Sequence, residues 1–226
     1  MIFSENRTPS PLGVGDVRFG IMHKMPLWLA DAPLVLASQS KVRRAVLEAA
    51  GIPVTAHPAH LDERAIEQQV ASGKPGDVAL TLAREKARTV AAMSEARLVV
   101  GCDQTLALGD RRFSKPADRA GAREQLLALR GKTHELHSGI AVVRNGALAF
   151  GHLAVARLTM RDFSQAFLDA YLDAAGTAVT ASVGGYQLER TGIHLFEKVE
   201  GDHFTILGLP LLPLLGYLRR EGALAA

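Results

Sequence analysis

The chain has 226 residues, of which 48% are hydrophobic and 22% charged, with a net charge of +3. This is ordinary for a soluble globular protein and long enough for one large α/β domain or two small ones. The excess charge is too small, and no Lys/Arg run long enough, to argue for nucleic-acid binding. The single cysteine, Cys102, excludes an intramolecular disulfide and makes a reducing cytoplasm the simplest setting. No stretch reaches the ~20 continuous apolar residues of a membrane span, since Pro210 and Pro213 interrupt the apolar run Leu207–Leu218.

The first 25 residues lack the apolar core of a signal peptide, Met25 is an alternative start, and residues 1–30 read as an irregular extension ahead of one domain over 31–226. Leu34–Ala37 is a short buried strand by its length and content. Ser40 is placed to cap a helix with Val42, Val46, Leu47 and Ala50 at helical spacing, which Gly51 ends. Ile52–Ala56 reads as a second strand, and Glu63 opens a helix through Ala71. After the break Ser72-Gly73-Lys74-Pro75-Gly76, Asp77 caps a long helix, Val78–Ser94. Leu98–Gly101 is a buried strand, and Thr105–Leu108 resumes an extended path to the Gly109-Asp110 turn. Ala117–Leu129 is helical. Alternation from Thr133 to Thr159 predicts two long antiparallel strands turning at Asn145-Gly146. Ser164 caps a helix Gln165–Ala174, Phe196–Val199 is a short strand, and Pro210–Arg220 is the last helix. Strands that alternate with helices, followed by a long hairpin, predict an α/β fold: a mixed twisted sheet with flanking helices, in two lobes around a cleft.

Three clusters carry chemistry. Ser38-Gln39-Ser40-Lys41-Val42-Arg43-Arg44 offers a helix start, hydroxyls and guanidinium groups, the three kinds of donor that phosphate oxygens accept from. A capped helix with two surface arginines has the same sequence. Asp103 follows an apolar strand, where a carboxylate faces the crevice of an α/β sheet and holds Mg²⁺ or takes a proton from water. Glu63 offers a second carboxylate. Lys86 and Lys115 are candidates to neutralise phosphate, although either alone is more commonly a solvated lysine. Glu189, beyond Gly184-Gly185-Tyr186, is a carboxylate able to accept from a base edge, or a plain loop acid. Cys102, beside Asp103 with no histidine close behind, reads as a buried small hydrophobe. His134 and His137 are three apart in an alternating strand and so face opposite sides of the sheet, which makes no zinc site.

These segments occur in one order with LVLASQSKVRR, the Asp62-Glu63 pair, AREKA at Ala83–Ala87, VVGCDQ, SKP at Ser114–Pro116, THELHSG at Thr133–Gly139, VGGYQLE, and EGDHFTILGLPL at Glu200–Leu211. In this the chain resembles the Maf family of nucleoside triphosphate pyrophosphatases from about Leu34 to Tyr217. The resemblance implies a two-lobed fold like that of inosine-triphosphate pyrophosphatases, a possible homodimer, and hydrolysis of a nucleoside triphosphate to the monophosphate and pyrophosphate with a divalent metal cation, Mg or Mn. It puts the essential acid on Asp103, metal binding on Glu63 and Asp103, and substrate binding on Ser38, Ser40, Arg43, Lys86 and Lys115. Base choice falls on Val42, Gln104 and Glu189. Gln104 and Glu189 are similar to the 7-methyl-GTP branch rather than the dTTP/UTP branch, while Val42 matches neither. Lys41 stands where the family usually has Pro, and Ser114 where it has Gly. A broader house-cleaning activity, and a non-catalytic nucleotide-binding regulator of septum formation, are the competing readings.

Overall fold

The computed structural model describes residues 27–70, 72–93 and 98–226. In chain order the elements are β1 (Leu34–Ala37), α1 (Lys41–Ala49), β2 (Val54–Ala56), α2 (Glu63–Gln69), α3 (Pro75–Ala91), β3 (Val99–Leu108), β4 (Arg111–Phe113), α4 (Arg119–Leu129), β5 (Thr133–Arg144), β6 (Ala147–Met160), α5 (Gln165–Ala175), β7 (Phe196–Glu200), α6 (His203–Ile206) and α7 (Leu211–Arg220). Short 3₁₀ turns fill the chain between α5 and β7. The seven strands form one mixed sheet in the order β2-β1-β3-β5-β6-β7, with β4 also paired to β3. β2, β1 and β3 run parallel, and β3, β5, β6 and β7 run antiparallel.

Local chemistry accounts for most element ends. Ser40 caps α1 by accepting from the Arg43 N–H, and Ser164 caps α5 by accepting from Phe167. The β5–β6 hairpin turns through Asn145 and Gly146, both at positive φ, as a two-residue hairpin requires. Two expectations change. Helix α3 begins at Pro75, not after Asp77: proline at the first helical position is already set for the helix, and Asp77 instead accepts from the Ser72 hydroxyl at 2.6 Å. The expected end of that helix at Ser94 lies outside the described residues. The two extended pieces around Asp103 are one continuous ten-residue strand, β3, in which Asp103 pairs with Gly139 and Gln104 with Ser138. Polar residues in mid-strand hid this continuity. Residues 27–30, assigned to the extension, pair with the chain end: Trp28 bridges Leu224, and Ala225 donates to the Leu27 carbonyl.

The sheet face formed by Val99, Ala141 and Val143 packs under α3. The other face carries two separate cores. One gathers Leu34, Leu36, Cys102, Ile140 and Leu214; the second gathers Leu106, Leu126, Leu136, Leu158 and Leu168. Between Cys102 and Leu106 on β3, and between Ile140 and Leu136 on β5, the same face bears Gln104 and Ser138. The expected two lobes thus meet at a polar waist in the middle of the sheet.

Candidate active site

The waist forms where β1 stops. Its last pair with β3 is Ala37↔Gly101, so the chain leaving β1 turns away and uncovers β3 from Cys102 onward. Asp103 points to the α3 face and Gln104 to the opposite one, as alternation demands.

Helix α3 comes unusually close to the sheet here. A Cβ on Gly101 would overlap the carbonyl oxygen of Ala83, and one on Gly139 would lie 2.6 Å from the Ala79 carbonyl oxygen. Because both positions are glycine, the helix settles on the backbone of β3 and β5, and Lys86 drops onto Asp103. Its ammonium donates to Asp103 Oδ1 at 2.6 Å and lies 2.8 Å from Glu63 Oε1. Glu63 arrives from the first turn of α2, which Asp62 caps. The lysine and Asp103 are nearly covered, whereas the Glu63 side chain is half exposed. Burial raises the Asp103 pKa above the usual carboxylate value, against the pull of Lys86 and Arg43. On Lys86, burial acts downward, yet the charges and hydrogen bonds of Asp103 and Glu63 outweigh it and raise its pKa, so the ammonium stays charged.

Arg43 reaches the same point from α1. Its Nη1 donates to the Cys102 carbonyl at 2.8 Å and to Ser38 Oγ at 3.3 Å, and Ser38 Oγ also accepts from the Ser40 N–H. The serine–arginine turn is therefore bonded to the residue before Asp103. Cys102 itself is fully buried, and burial pushes its thiol up to about 11, which removes it as a nucleophile at neutral pH.

On the opposite face Gln104 Nε2 donates to Ser138 Oγ at 2.9 Å and to the carbonyls of Thr205 and Ile206 at 3.0 and 3.1 Å. The two N–H groups of this amide are shared over three acceptors, and its carboxamide oxygen takes no hydrogen bond among the described residues. Ser138 and α6 were not among the sequence candidates. Ser138 lies within the segment 133–139, but alternation alone does not tell which hydroxyl meets Gln104.

The remaining candidates do not join this network. Lys115 and Glu189 are exposed and Val42 half-buried, and none makes a side-chain hydrogen bond or ion pair among the described residues. The Glu189 turn is nevertheless firmly seated. Tyr186 is buried with its hydroxyl 2.7 Å from His134 Nε2, Tyr171 donates to the Gly185 carbonyl, and Gln125 accepts from the Gly184 N–H while donating to the Ser114 carbonyl beside Lys115. His134 and His137 do face opposite sides, the first into the core with Tyr186 and Phe196 and the second toward Glu135. Among the described residues no helix is long and apolar enough to cross a membrane.

Two carboxylates, an ammonium and a guanidinium held at one point suit a polyanion that arrives with its own cation. The family model described as Maf-like protein matches residues 33–221. A nucleoside triphosphate pyrophosphatase of Rhodopseudomonas palustris is 57% identical over 89% of this chain and 100% of its own, and one of Nitrobacter winogradskyi is 54% identical over the same shares. A 7-methyl-GTP pyrophosphatase of Rhizobium etli is 51% identical over 84% of this chain and 97% of its own. Among solved structures, a HAM1 protein from Coxiella burnetii covers 59% of this chain and 75% of its own at TM-score 0.37 and 14% identity, too slight a likeness to define the fold. The ordered motifs, the convergent site and the match across most of the chain agree, and the chain belongs to the Maf-like protein family.

Proposed function

We propose that this protein hydrolyses a nucleoside triphosphate to the monophosphate and pyrophosphate. One observation carries the reading: Lys86 Nζ lies within 2.8 Å of both Glu63 and Asp103, so the acids and base named from distant parts of the chain meet at one point. Relatives named for this reaction, spanning nearly the whole chain, support it.

Asp103 accepts the proton of a water that attacks the α-phosphorus. The α–β phosphoanhydride bond breaks, and the electron pair leaves with the β-phosphate oxygen as pyrophosphate. Arg43, Lys86 and Lys115 offset the charge of the phosphates, and Ser38 and Ser40 lie at the helix start where phosphate oxygens find donors. Glu63 and Asp103 fit a hard divalent cation, Mg²⁺ or Mn²⁺, as two oxygen donors. Among the described residues no group of three or more metal-ligating side chains forms, which suits a metal completed by substrate oxygens rather than a protein cage. When bound, that metal supplies electrostatic stabilisation of the phosphates. The single, buried Cys102 suits a cytoplasmic setting.

For the base, we favour 7-methyl-GTP or another modified nucleotide over dTTP and UTP. Gln104 keeps a carboxamide oxygen that no donor among the described residues takes up, and Glu189 presents an exposed carboxylate. Two acceptors suit the N1–H and amino group of guanine, and the carboxylate suits the positive charge of a methylated ring. The test is release of pyrophosphate from 7-methyl-GTP, GTP, UTP and dTTP with Mg²⁺ and with Mn²⁺. Pyrophosphate and monophosphate in equal amounts are expected, with 7-methyl-GTP fastest. Binding without consumption would assign the chain to a regulator instead, and faster UTP or dTTP would overturn the base assignment.

A further inference from the structure

Arg43 and Gly208 come from opposite ends of the chain and meet at the waist. The guanidinium is clamped at Nη1 by the Cys102 carbonyl and Ser38, while its Nε is buried with no acceptor among the described residues. Gly208, in the turn after α6, has φ +81°, and a Cβ built on it would lie 2.8 Å from Arg43 Nη2, 3.0 Å from Nε and 3.4 Å from Cζ. That point is farther from Cζ than from either nitrogen. It therefore sits in front of the Nε–Nη2 edge, in the guanidinium plane, and not over its face. A side chain there would meet the guanidinium, which could give way only by leaving its bonds to the Cys102 carbonyl and Ser38. Glycine answers two separate demands at this position, the left-handed backbone and the space beside the guanidinium.

We propose that Gly208 is a positioning residue that acts through Arg43. Its missing side chain lets the guanidinium stay bonded to the Cys102 carbonyl, one residue from Asp103, so that a fixed positive charge lies beside the reacting acid. The proposal rests on the reading above in which Arg43 offsets triphosphate charge. Helix α6, immediately before this turn, supplies the Thr205 and Ile206 carbonyls that hold Gln104, so one segment seats side chains from both β3 and α1.

The test compares Gly208→Ala and Gly208→Asn, each alone and combined with Arg43→Ala. Asn tolerates positive φ, so the second variant keeps the backbone and adds only the obstruction. Both single variants are expected to raise KM for the preferred triphosphate about tenfold, the loss of one charge-assisted hydrogen bond, while kcat changes less. In the Arg43→Ala background the same changes raise KM no further, and they lower Tm less than in the wild type because the guanidinium is gone. Equal effects on KM and Tm with and without Arg43 would show that Gly208 serves the backbone alone and overturn the proposal. An unchanged KM in the single variants, or failure of the 208 variants to fold in either background, overturns it equally. The Tm comparison needs no turnover, so a wild-type chain that releases no pyrophosphate would sink the activity while the coupling of Arg43 to Gly208 is still decided.

Discussion

In the proposed reaction Asp103 is the residue on which the chemistry turns, and its surroundings set its behaviour. It is nearly buried, bonded to Lys86, and holds its proton more tightly than an exposed acid. Asp103→Asn keeps the shape and one acceptor, and it leaves Lys86 paired with Glu63. Turnover in a pyrophosphate assay is expected to fall at least about a hundredfold, the scale of a lost general base, with Tm nearly unchanged. In the proposed role the working form is the carboxylate, so activity should be lost as pH falls through the folded-state pKa. Burial has raised that value, so in the metal-free protein an NMR titration of the Asp103 carboxyl should show it protonating above the range of ordinary carboxylates; a value at or below that range would refute the raised pKa. At this scale the sequence singled out Asp103, Glu63, Lys86 and Arg43, because each falls in one of the ordered segments shared with the family, although each alone has an ordinary reading. It is silent about Ser138, the Cys102 carbonyl and Gly208. A backbone oxygen and a missing side chain leave no chemical signature in a string of residue types, and their importance appears only when distant segments are in contact.

At the scale of elements, the contact of α3 with β3 and β5 decides whether Lys86 reaches Asp103. Gly101 and Gly139 let the helix rest on bare strand backbone. Gly101→Ala would drive a methyl group into the Ala83 carbonyl, and a helix that moves to relieve it carries Lys86 away. A loss of at least about 2 kcal/mol of stability, together with reduced pyrophosphate release, is expected from urea unfolding and the activity assay. An alanine variant of wild-type stability would show that the helix is not fixed by this contact. The caps Ser40 and Ser164 and the Asn145-Gly146 hairpin were legible because each local motif satisfies its own backbone groups. The unbroken run of β3 was not. Asp103 and Gln104 interrupt an apolar pattern, and only their pairing with β5 reveals extended backbone. The turns between α5 and β7 were missed for the opposite reason, since 3₁₀ segments lack a periodic signal.

Across the whole molecule the two cores are joined by the sheet, and one buried histidine reports on the second of them. Burial pushes His134 down to about 4, so it stays neutral in the folded protein at pH 7 beside Tyr186. A histidine with a depressed folded pKa contributes stability that is complete above its unfolded value and lost as pH falls from about 6.5 toward about 4. The total is about 3 kcal/mol over that window. His134→Gln cannot titrate, so its stability should decline less than that of the wild type between those limits. Parallel curves for the two proteins in urea unfolding would refute this. The division into lobes was foreseeable from strands alternating with helices and then yielding to a hairpin. The location of the waist was not, because it depends on which face each strand residue takes.

Lys86 also sets how the site receives a charged visitor. Two acids drawn together by folding would repel each other, but here a tethered ammonium already stands between them. The cleft is thus assembled before any ligand comes, with its internal charges matched. Under the proposed function, recruitment of a triphosphate and its cation would be an exchange of counter-ions, in which the lysine would trade carboxylate for phosphate while Glu63 and Asp103 would hold the cation.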